Sequence, residues 1–278
     1  MTIRIVTDST CDLPAQIIKE LKIIVVPLYI NIGEKGYRDG IDITRKEFYT
    51  NLPIYPSQPT TGTPSMDVFC KLYGELASAG ADEILSIHIS KCLSATVDVA
   101  RLAAEKCQEF KVTVLDSRQL SLGTGFQVET AARMALEGKP MGEIMKELDD
   151  LARRSFVAAR LDTLEFLKRS GRMSTTLSGI GSLLRIKPIM KMEDGNPTSE
   201  RVRTTRRAEE RLIQLLEERK PIERFALLHT NAAEEAQAFR KRIEHLIPAE
   251  GVYSMDITPV IGAHIGPGAV GYAVVTGR

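Results

Sequence analysis

The sequence lacks any imbalance of charge. Its 278 residues contain 37 lysines and arginines against 36 aspartates and glutamates, which leaves a formal net charge of +1. Proteins that bind nucleic acid through its phosphates carry a clear basic excess on the binding domain. The overall charge therefore gives no reason to expect a nucleic acid as partner.

Cysteine is scarce and scattered. The chain has four cysteines, none of them in a CxxC pair: Cys11, Cys70, Cys92 and Cys107. Zinc sites and disulfide frameworks show closer and more regular spacings. We therefore expect neither a metal site nor a disulfide framework.

Long apolar runs are also missing, since none approaches the ~20 residues of a membrane span. Residues 1–6 lead directly into a predicted strand, so we expect no signal peptide and a soluble, cytoplasmic protein. A chain of this length forms one large or two modest domains with a sizeable core.

Three motifs of nucleotide and acyl chemistry are absent. There is no GxGxxG between a strand and a helix, no GxxxxGK[ST] and no GxSxG. Ser94, His264 and Asp116 could still be assembled into a hydrolase triad. A stand-alone small-molecule hydrolase or transferase that uses Ser94 and His264 therefore remains the alternative function.

The order of predicted elements indicates an α/β fold. Strands and helices alternate in the first half, which favours a parallel sheet with helices on both faces. In the second half, Asp194–Gly195 between two strand-like runs predicts a hairpin. We predict two α/β domains, residues 1–155 with a parallel sheet and residues 156–278 with a mixed α/β architecture.

Hydroxyl side chains follow several predicted strands at the edge where such folds bind ligands. Ser94 occupies the expected N-cap of a helix after the strand 85–89. Free amides and the helix dipole favour a carboxylate or phosphate there, and the other interpretation is that Ser94 only caps its helix. Residues 54–65, rich in proline and hydroxyls, are predicted to be irregular and to precede a helix that begins at Thr63–Pro64.

A glycine-rich loop is predicted at residues 262–271. Glycines allow the backbone to approach a ligand closely, and His264 in this loop can donate a hydrogen bond near neutral pH. A single histidine can equally be structural.

The region from residue 169 to 207 is basic, which indicates either a solvated face or a surface for an acidic or phosphorylated partner. Its basic residues are Arg169, Arg172, Arg185, Lys187, Arg201, Arg203, Arg206 and Arg207.

Seven short motifs occur together in one order. They are Val6–Ser9, Gln58–Ser65, Ile89–Thr96, Leu115–Ser117, Ser170–Arg172, Arg185–Pro188 and His264–Gly268. In this combination the chain resembles the DegV family from about residue 3 to 277.

The resemblance implies a long-chain fatty acid, such as palmitate, buried between two α/β domains, with no other cofactor. It further implies a non-catalytic, cytoplasmic subunit in phospholipid metabolism. Such a subunit presents the acyl carboxylate to a separate ATP-binding fatty acid kinase subunit and then holds the acyl phosphate. A transient acyltransferase or a membrane surface is a further expected contact. An interaction protein with a structural ligand is a third possibility.

Carried over by position, Thr61, Ser94 and His264 bind the carboxylate. Gly62 stands beside them where many family members have serine, and Ala95 replaces the usual glycine. Because one carboxylate cannot use the basic region, we expect Arg172, Arg203 and Arg206 to dock the kinase subunit.

Overall fold

The computed structural model describes residues 2–171 and 186–278. Their strands are β1 (Ile3–Asp8), β2 (Ile24–Val26), β3 (Tyr29–Ile32), β4 (Lys35–Arg38), β5 (Thr60–Gly62), β6 (Glu83–His88), β7 (Val112–Asp116), β8 (Ser155–Arg160), β9 (Lys187–Glu193), β10 (Asn196–Val202), β11 (Ile222–His229), β12 (Tyr253–Asp256) and β13 (Val270–Thr276). Their α-helices are α1 (Ala15–Glu20), α2 (Arg45–Asn51), α3 (Met66–Ser78), α4 (Thr96–Lys106), α5 (Leu122–Leu136), α6 (Met141–Arg154), α7 (Glu165–Arg169), α8 (Thr205–Glu217), α9 (Ala233–Ile243) and α10 (Pro259–Ile265).

The first half forms a parallel sheet with the strand order β2-β1-β6-β7. Alternate side chains of β1 enter different cores, with Val6 on the side of α3 and α4 and Ile5 on the side of α5 and α6. This alternation buries both faces of the sheet beneath helices. The predicted parallel sheet is confirmed, and the carboxyl ends of its strands meet at one edge.

The second half forms a mixed sheet with the order β10-β9-β8-β13-β11-β12. Only β11 and β12 run parallel within it. The predicted hairpin is confirmed, because β9 and β10 pair antiparallel around Asp194–Gly195. The fold is therefore an α/β fold with a parallel and a mixed sheet.

Helix α5 packs against both the parallel and the mixed sheet. Its buried face contacts β1 and β6 of the parallel sheet and β8 and β13 of the mixed sheet. One hydrophobic cluster accordingly contains Ile5 and Leu85 together with Val157 and Ala273. Because this core is shared, a division of the chain at residue 155, where β8 begins, stays a prediction.

A third sheet, β4-β3-β5, was not expected in full. The irregular structure predicted for residues 54–65 is confirmed at 55–59 and 63–65. It is wrong at Thr60–Gly62, which forms β5 and pairs antiparallel with β3. Pro59 and Pro64 lie just outside this short strand, so their missing amide protons cost it no ladder hydrogen bond. The following helix, α3, begins at Met66 rather than at Thr63–Pro64.

The predicted glycine-rich loop was also wrong at its start. Residues 259–265 form α10, with Pro259 in its first turn and the Thr258 hydroxyl accepting from the Val260 amide. Gly262 suits this helix because a Cβ there would collide with the Tyr49 hydroxyl. His264 therefore lies on a packed helix.

Candidate functional site

A cavity of about 250 Å³ lies between the carboxyl edge of the parallel sheet and one face of the mixed sheet. Three elements supply much of its wall, namely β8, β9 and α10 with the residues that flank them. Its apolar lining includes Leu28, Ile89, Leu93, Leu120, Val157, Ala159, Leu161, Leu167, Met190, Met192, Leu228, Ile257, Val260, Ile261 and Ile265.

Cross-strand pairs form the apolar floor of the cavity. Val157 lies opposite Met192, and Ala159 lies opposite Met190, across the antiparallel pair β8–β9. Residues two apart on a strand point to the same face, so both pairs line the same side. The floor is thus a flat apolar strip suited to an alkyl chain.

Polar groups gather at one part of the lining. Thr61 on β5 and His264 on α10 contact each other, with 2.9 Å between Oγ1 and Nε2. The strand is fixed by pairing of Thr61 with Ile30. The helix is fixed where Gln58 Nε2 donates to the Ala263 carbonyl at 2.7 Å. Two separate elements therefore hold this pair in place.

Ser94 also lines the cavity, but not as the expected N-cap. Helix α4 begins at Thr96, so Ala95 occupies the cap position and offers no side-chain hydrogen bond. The Ser94 hydroxyl instead lies 2.8 Å from the Thr96 hydroxyl and 3.3 Å from the Thr96 amide nitrogen. It still stands at the positive end of α4, which favours an anion.

Gly62 completes the predicted group. A Cβ at Gly62 would lie 3.7 Å from the Tyr29 Cβ, an ordinary contact. The structure thus brings Thr61, Gly62, Ser94 and His264 to one cavity, where hydroxyls and an imidazole face apolar walls. Such a combination can bind a molecule with a carboxylate head and an apolar tail.

Ser121 is a lining residue that the sequence reasoning missed. It is the N-cap residue before α5, with a φ of 49°, and its hydroxyl donates to Asp12 Oδ2 at 2.7 Å. Asp12 Oδ1 accepts from Arg45 Nη2 and from the Thr258 amide, both at 2.9 Å. Burial raises the pKa of Asp12 to about 6, against the opposing charge of Arg45. No sequence motif marks this connection between the cavity and α10.

The predicted hydrolase partner Asp116 has other contacts. Its Oδ1 accepts from the Arg118 amide at 2.9 Å and from the Lys91 amide at 3.4 Å. Among the described residues that line the cavity, Asp116 is absent. Ser94 and His264 share the cavity, therefore, without this carboxylate on its wall.

A different Ser–His–Asp chain exists inside the parallel sheet. His88 lies 2.9 Å from Asp8 Oδ2 through Nδ1 and 2.7 Å from Ser86 Oγ through Nε2, and the Tyr73 hydroxyl donates to Ser86. All four residues are fully buried between β1, β6 and α3. A buried chain cannot meet a substrate, so we regard it as structural.

The described residues offer neither a cluster of metal ligands nor a membrane-spanning helix. Within residues 2–171 and 186–278, no three histidines, cysteines or acidic residues cluster as a metal site would require. Over the same residues, no helix combines the length and apolarity needed to cross a bilayer.

The basic region is only partly described, because Arg172 and Arg185 lie outside the described residues. Arg203 is exposed, and Arg206 is exposed while paired with Glu210 at 2.8 Å. The side chains of Arg169 and Lys187 form ion pairs with acidic residues. Part of the positive charge is thus already compensated.

Comparison with known proteins identifies the family. A family model described as "Uncharacterised protein, DegV family" matches residues 2–277. This chain belongs to the DegV family. A DegV domain-containing protein of Listeria innocua is 34% identical over 273 residues, covering 97% of this chain and 96% of the relative.

Solved structures of the DegV family share the fold. A structure described as fatty acid binding of a DegV family protein from Thermus thermophilus has a TM-score of 0.89 at 35% identity, covering 99% of this chain and all of the other. DegV of Bacillus subtilis, described as a fatty acid binding protein, has a TM-score of 0.91 at 31% identity with full coverage of both chains. The resemblance predicted from sequence is confirmed.

Proposed function

We propose that this chain binds one long-chain fatty acid, such as palmitate, in the cavity between its parallel and mixed sheets. The carboxylate would lie at Thr61, Ser94 and His264, beside Gly62, and the alkyl chain would lie on the apolar strip of β8 and β9. The observation that carries this proposal is the meeting of Thr61 and His264, at 2.9 Å, on the wall of a largely apolar cavity. The fatty acid binding described for the Thermus and Bacillus relatives supports it.

The energetics agree with this ligand. Burial of about 14 methylenes at ~0.8 kcal/mol each contributes roughly 11 kcal/mol before the cost of ordering the chain. Hydrogen bonds to the charged head group contribute roughly 1.5–3 kcal/mol each. Tight binding therefore depends mainly on the alkyl chain, while the polar residues orient the head group.

Native mass spectrometry of the purified protein tests the proposal. We expect a mass increment equal to one fatty acid, either as purified or after addition of palmitate. A spectrum that remains ligand-free in the presence of palmitate, from protein shown to be folded, would contradict it.

We further propose that the protein is a non-catalytic carrier in the cytoplasm. It would present the bound carboxylate to a separate ATP-binding kinase subunit, which forms the acyl phosphate used in phospholipid metabolism. Arg172, Arg203 and Arg206 would dock that subunit. The exposure of Arg203 and Arg206 supports this role.

The alternative is a stand-alone hydrolase or transferase in which Ser94 acts as nucleophile with His264. Its support is that both side chains line the same cavity. Incubation of the isolated protein with acyl esters and with ATP separates the two functions. We expect no turnover, whereas turnover that disappears in Ser94→Ala would favour the enzyme.

A further inference from the structure

A hairpin supplies part of the cavity wall. Met192 and Pro197 are a cross-strand pair of β9 and β10, and both line the cavity. Leu120, which follows β7, lines the same part. Met192 is also the partner of Val157 on β8. An alkyl chain laid along β8 would therefore meet this hairpin with its terminal carbons.

The opposite part of the lining belongs to another cluster. Leu161 and Leu167 pack with Ile265, the residue next to His264. Leu161 and Val157 are four residues apart along β8 and its end, which corresponds to roughly 13 Å at the usual strand rise. Val157 and its partner Met192 thus lie on the same apolar wall as Leu161, at the hairpin side of β8.

Arg118 holds the tip of this hairpin against the parallel half. Its Nη1 lies 2.8 Å from Asp194 Oδ1, and its Nη2 lies 2.8 Å from Asp149 Oδ1 on α6. Its carbonyl accepts from the Gly195 amide at 3.0 Å. We call these four residues, Arg118, Asp149, Asp194 and Gly195, the Arg118 clamp.

The clamp joins the hairpin tip to α6 and to the turn after β7. In the described sheet β10 is an edge strand that pairs only with β9, and farther along it Arg211 of α8 donates to Glu200 at 2.8 Å. Arg118 itself adopts a φ of 56°, which is unusual for a residue other than glycine, and its amide donates to Asp116 Oδ1. Both sides of the contact are therefore fixed by local geometry, and the guanidinium connects them.

We propose that the Arg118 clamp sets the length of the acyl chain that the cavity accepts. Pro197 is two residues from Gly195, so any lift of the hairpin tip withdraws the Pro197 and Met192 pair from the cavity. Withdrawal would make room for additional methylenes beyond Val157. This inference rests on the proposed fatty-acid function and adds to it the part of the chain that controls ligand length.

A competition experiment tests the clamp. Delipidated protein is mixed with equal amounts of tetradecanoic, hexadecanoic, octadecanoic and eicosanoic acids, and the bound masses are measured by native mass spectrometry. For Arg118→Ala we expect a shift toward longer acids, about fourfold in relative occupancy for each additional methylene that becomes buried. Met192→Ala, which removes part of the wall directly, should shift in the same direction.

Arg153→Ala is the matched control. Arg153 pairs with the same Asp149, at 2.7 Å, but as an i,i+4 contact within α6. This variant removes the same charge without touching the hairpin and should keep the wild-type length profile. If Arg118→Ala does not fold, Asp194→Asn loses the ion pair and keeps the backbone bond.

The outcomes separate the two proposals. If wild type and the folded clamp variants show one common length profile, the clamp does not set the chain length, and the proposed fatty-acid binding is unaffected. A shift in Arg153→Ala equal to that in Arg118→Ala would also overturn it, because charge alone would explain the change. Wild type that binds none of the four acids would contradict the proposed function itself.

Discussion

Thr61 and His264 are 203 positions apart in the sequence, yet their side chains meet with 2.9 Å between Oγ1 and Nε2. With the imidazole proton on Nε2, His264 donates to the threonine oxygen and leaves the threonine proton for a ligand. A donor chain of this kind strengthens the final hydrogen bond to an anion. The contact also ties the three-stranded sheet to α10, so the site depends on both.

The first prediction removes the Thr61 hydroxyl. Thr61→Val keeps the branched shape of the side chain and should weaken palmitate binding by roughly 1.5–3 kcal/mol, about ten- to a hundredfold in Kd. Thr60→Val is the control, since Thr60 is the exposed neighbour on the same short strand. Titration calorimetry on delipidated protein measures both. Equal affinities for the two variants would show that Thr61 does not bind the carboxylate.

The second prediction adds a hydroxyl. Gly62→Ser should fold as wild type, because its Cβ meets only ordinary contacts to Tyr29 and Asn31 at 3.7 Å and 3.8 Å. A new hydrogen bond to the carboxylate should tighten binding by about 0.5–1.5 kcal/mol. Thermal melting and palmitate titration test the two parts separately.

Gly266→Ser is the contrasting substitution. Gly266 has a φ of 74°, and a Cβ there would collide with the Phe166 ring. Gly266→Ser should therefore lower the melting temperature of the protein, whereas Gly62→Ser should not. If Gly62→Ser lowers the melting temperature as much as Gly266→Ser does, the conclusion that a side chain fits beside Tyr29 is wrong.

The parallel sheet could be predicted because its signals are local. Strands β1, β6 and β7 are each followed along the chain by a helix, and this alternation is visible in the sequence. The three-stranded sheet could not be predicted in full. The strand Thr60–Gly62 has only three residues, and its pairing with Tyr29–Asn31 is a tertiary contact that no local sequence pattern predicts.

Helix α10 shows why the site could be predicted only in part. Gly262 favours a loop by its own propensity, but the Tyr49 ring fills the space beside it and stabilises the helix. The residues Thr61, Ser94 and His264 were expected from family resemblance, and the structure places them on one cavity. The role of Asp12 had no local signal, because its partners lie far along the chain.

The third prediction concerns Asp8 and acid stability. Burial alone would raise the pKa of Asp8, but the hydrogen bond and charge of His88, with Thr10 and the Ile89 amide, hold it below the ordinary value of 3.8. A carboxyl with a lowered pKa binds fewer protons in the folded than in the unfolded state. Its stabilisation is therefore present above the ordinary pKa of 3.8 and is lost as the pH falls through the lower pKa of the folded state.

Asp8→Asn should therefore lose stability relative to wild type at pH 7, and the difference should shrink as the pH falls below about 3.9. Urea unfolding at a series of pH values measures it. Asp98→Asn, an exposed carboxylate on α4, controls for the loss of one negative charge. A difference between wild type and Asp8→Asn that stays constant down to the lowest pH would contradict the assignment.

The last prediction concerns docking of the kinase subunit. Arg203 is exposed, and the Arg206 side chain is 87% exposed beside Glu210, at the start of α8 on the outside of the mixed sheet. Exposed charges at the rim of an interface mainly accelerate association, and salt weakens this effect. Arg203→Glu with Arg206→Glu should leave the Kd for palmitate unchanged and slow acyl phosphate formation by an added kinase subunit, by about tenfold at low salt.

Arg101→Glu, on α4 against the parallel sheet, supplies the matched charge reversal and should keep the wild-type rate of acyl phosphate formation. The wild-type rate should fall as salt rises, whereas the rate of the double variant should depend on salt much less. Weaker palmitate binding with an unchanged transfer rate per bound lipid would instead place these arginines at the cavity and exclude the docking role.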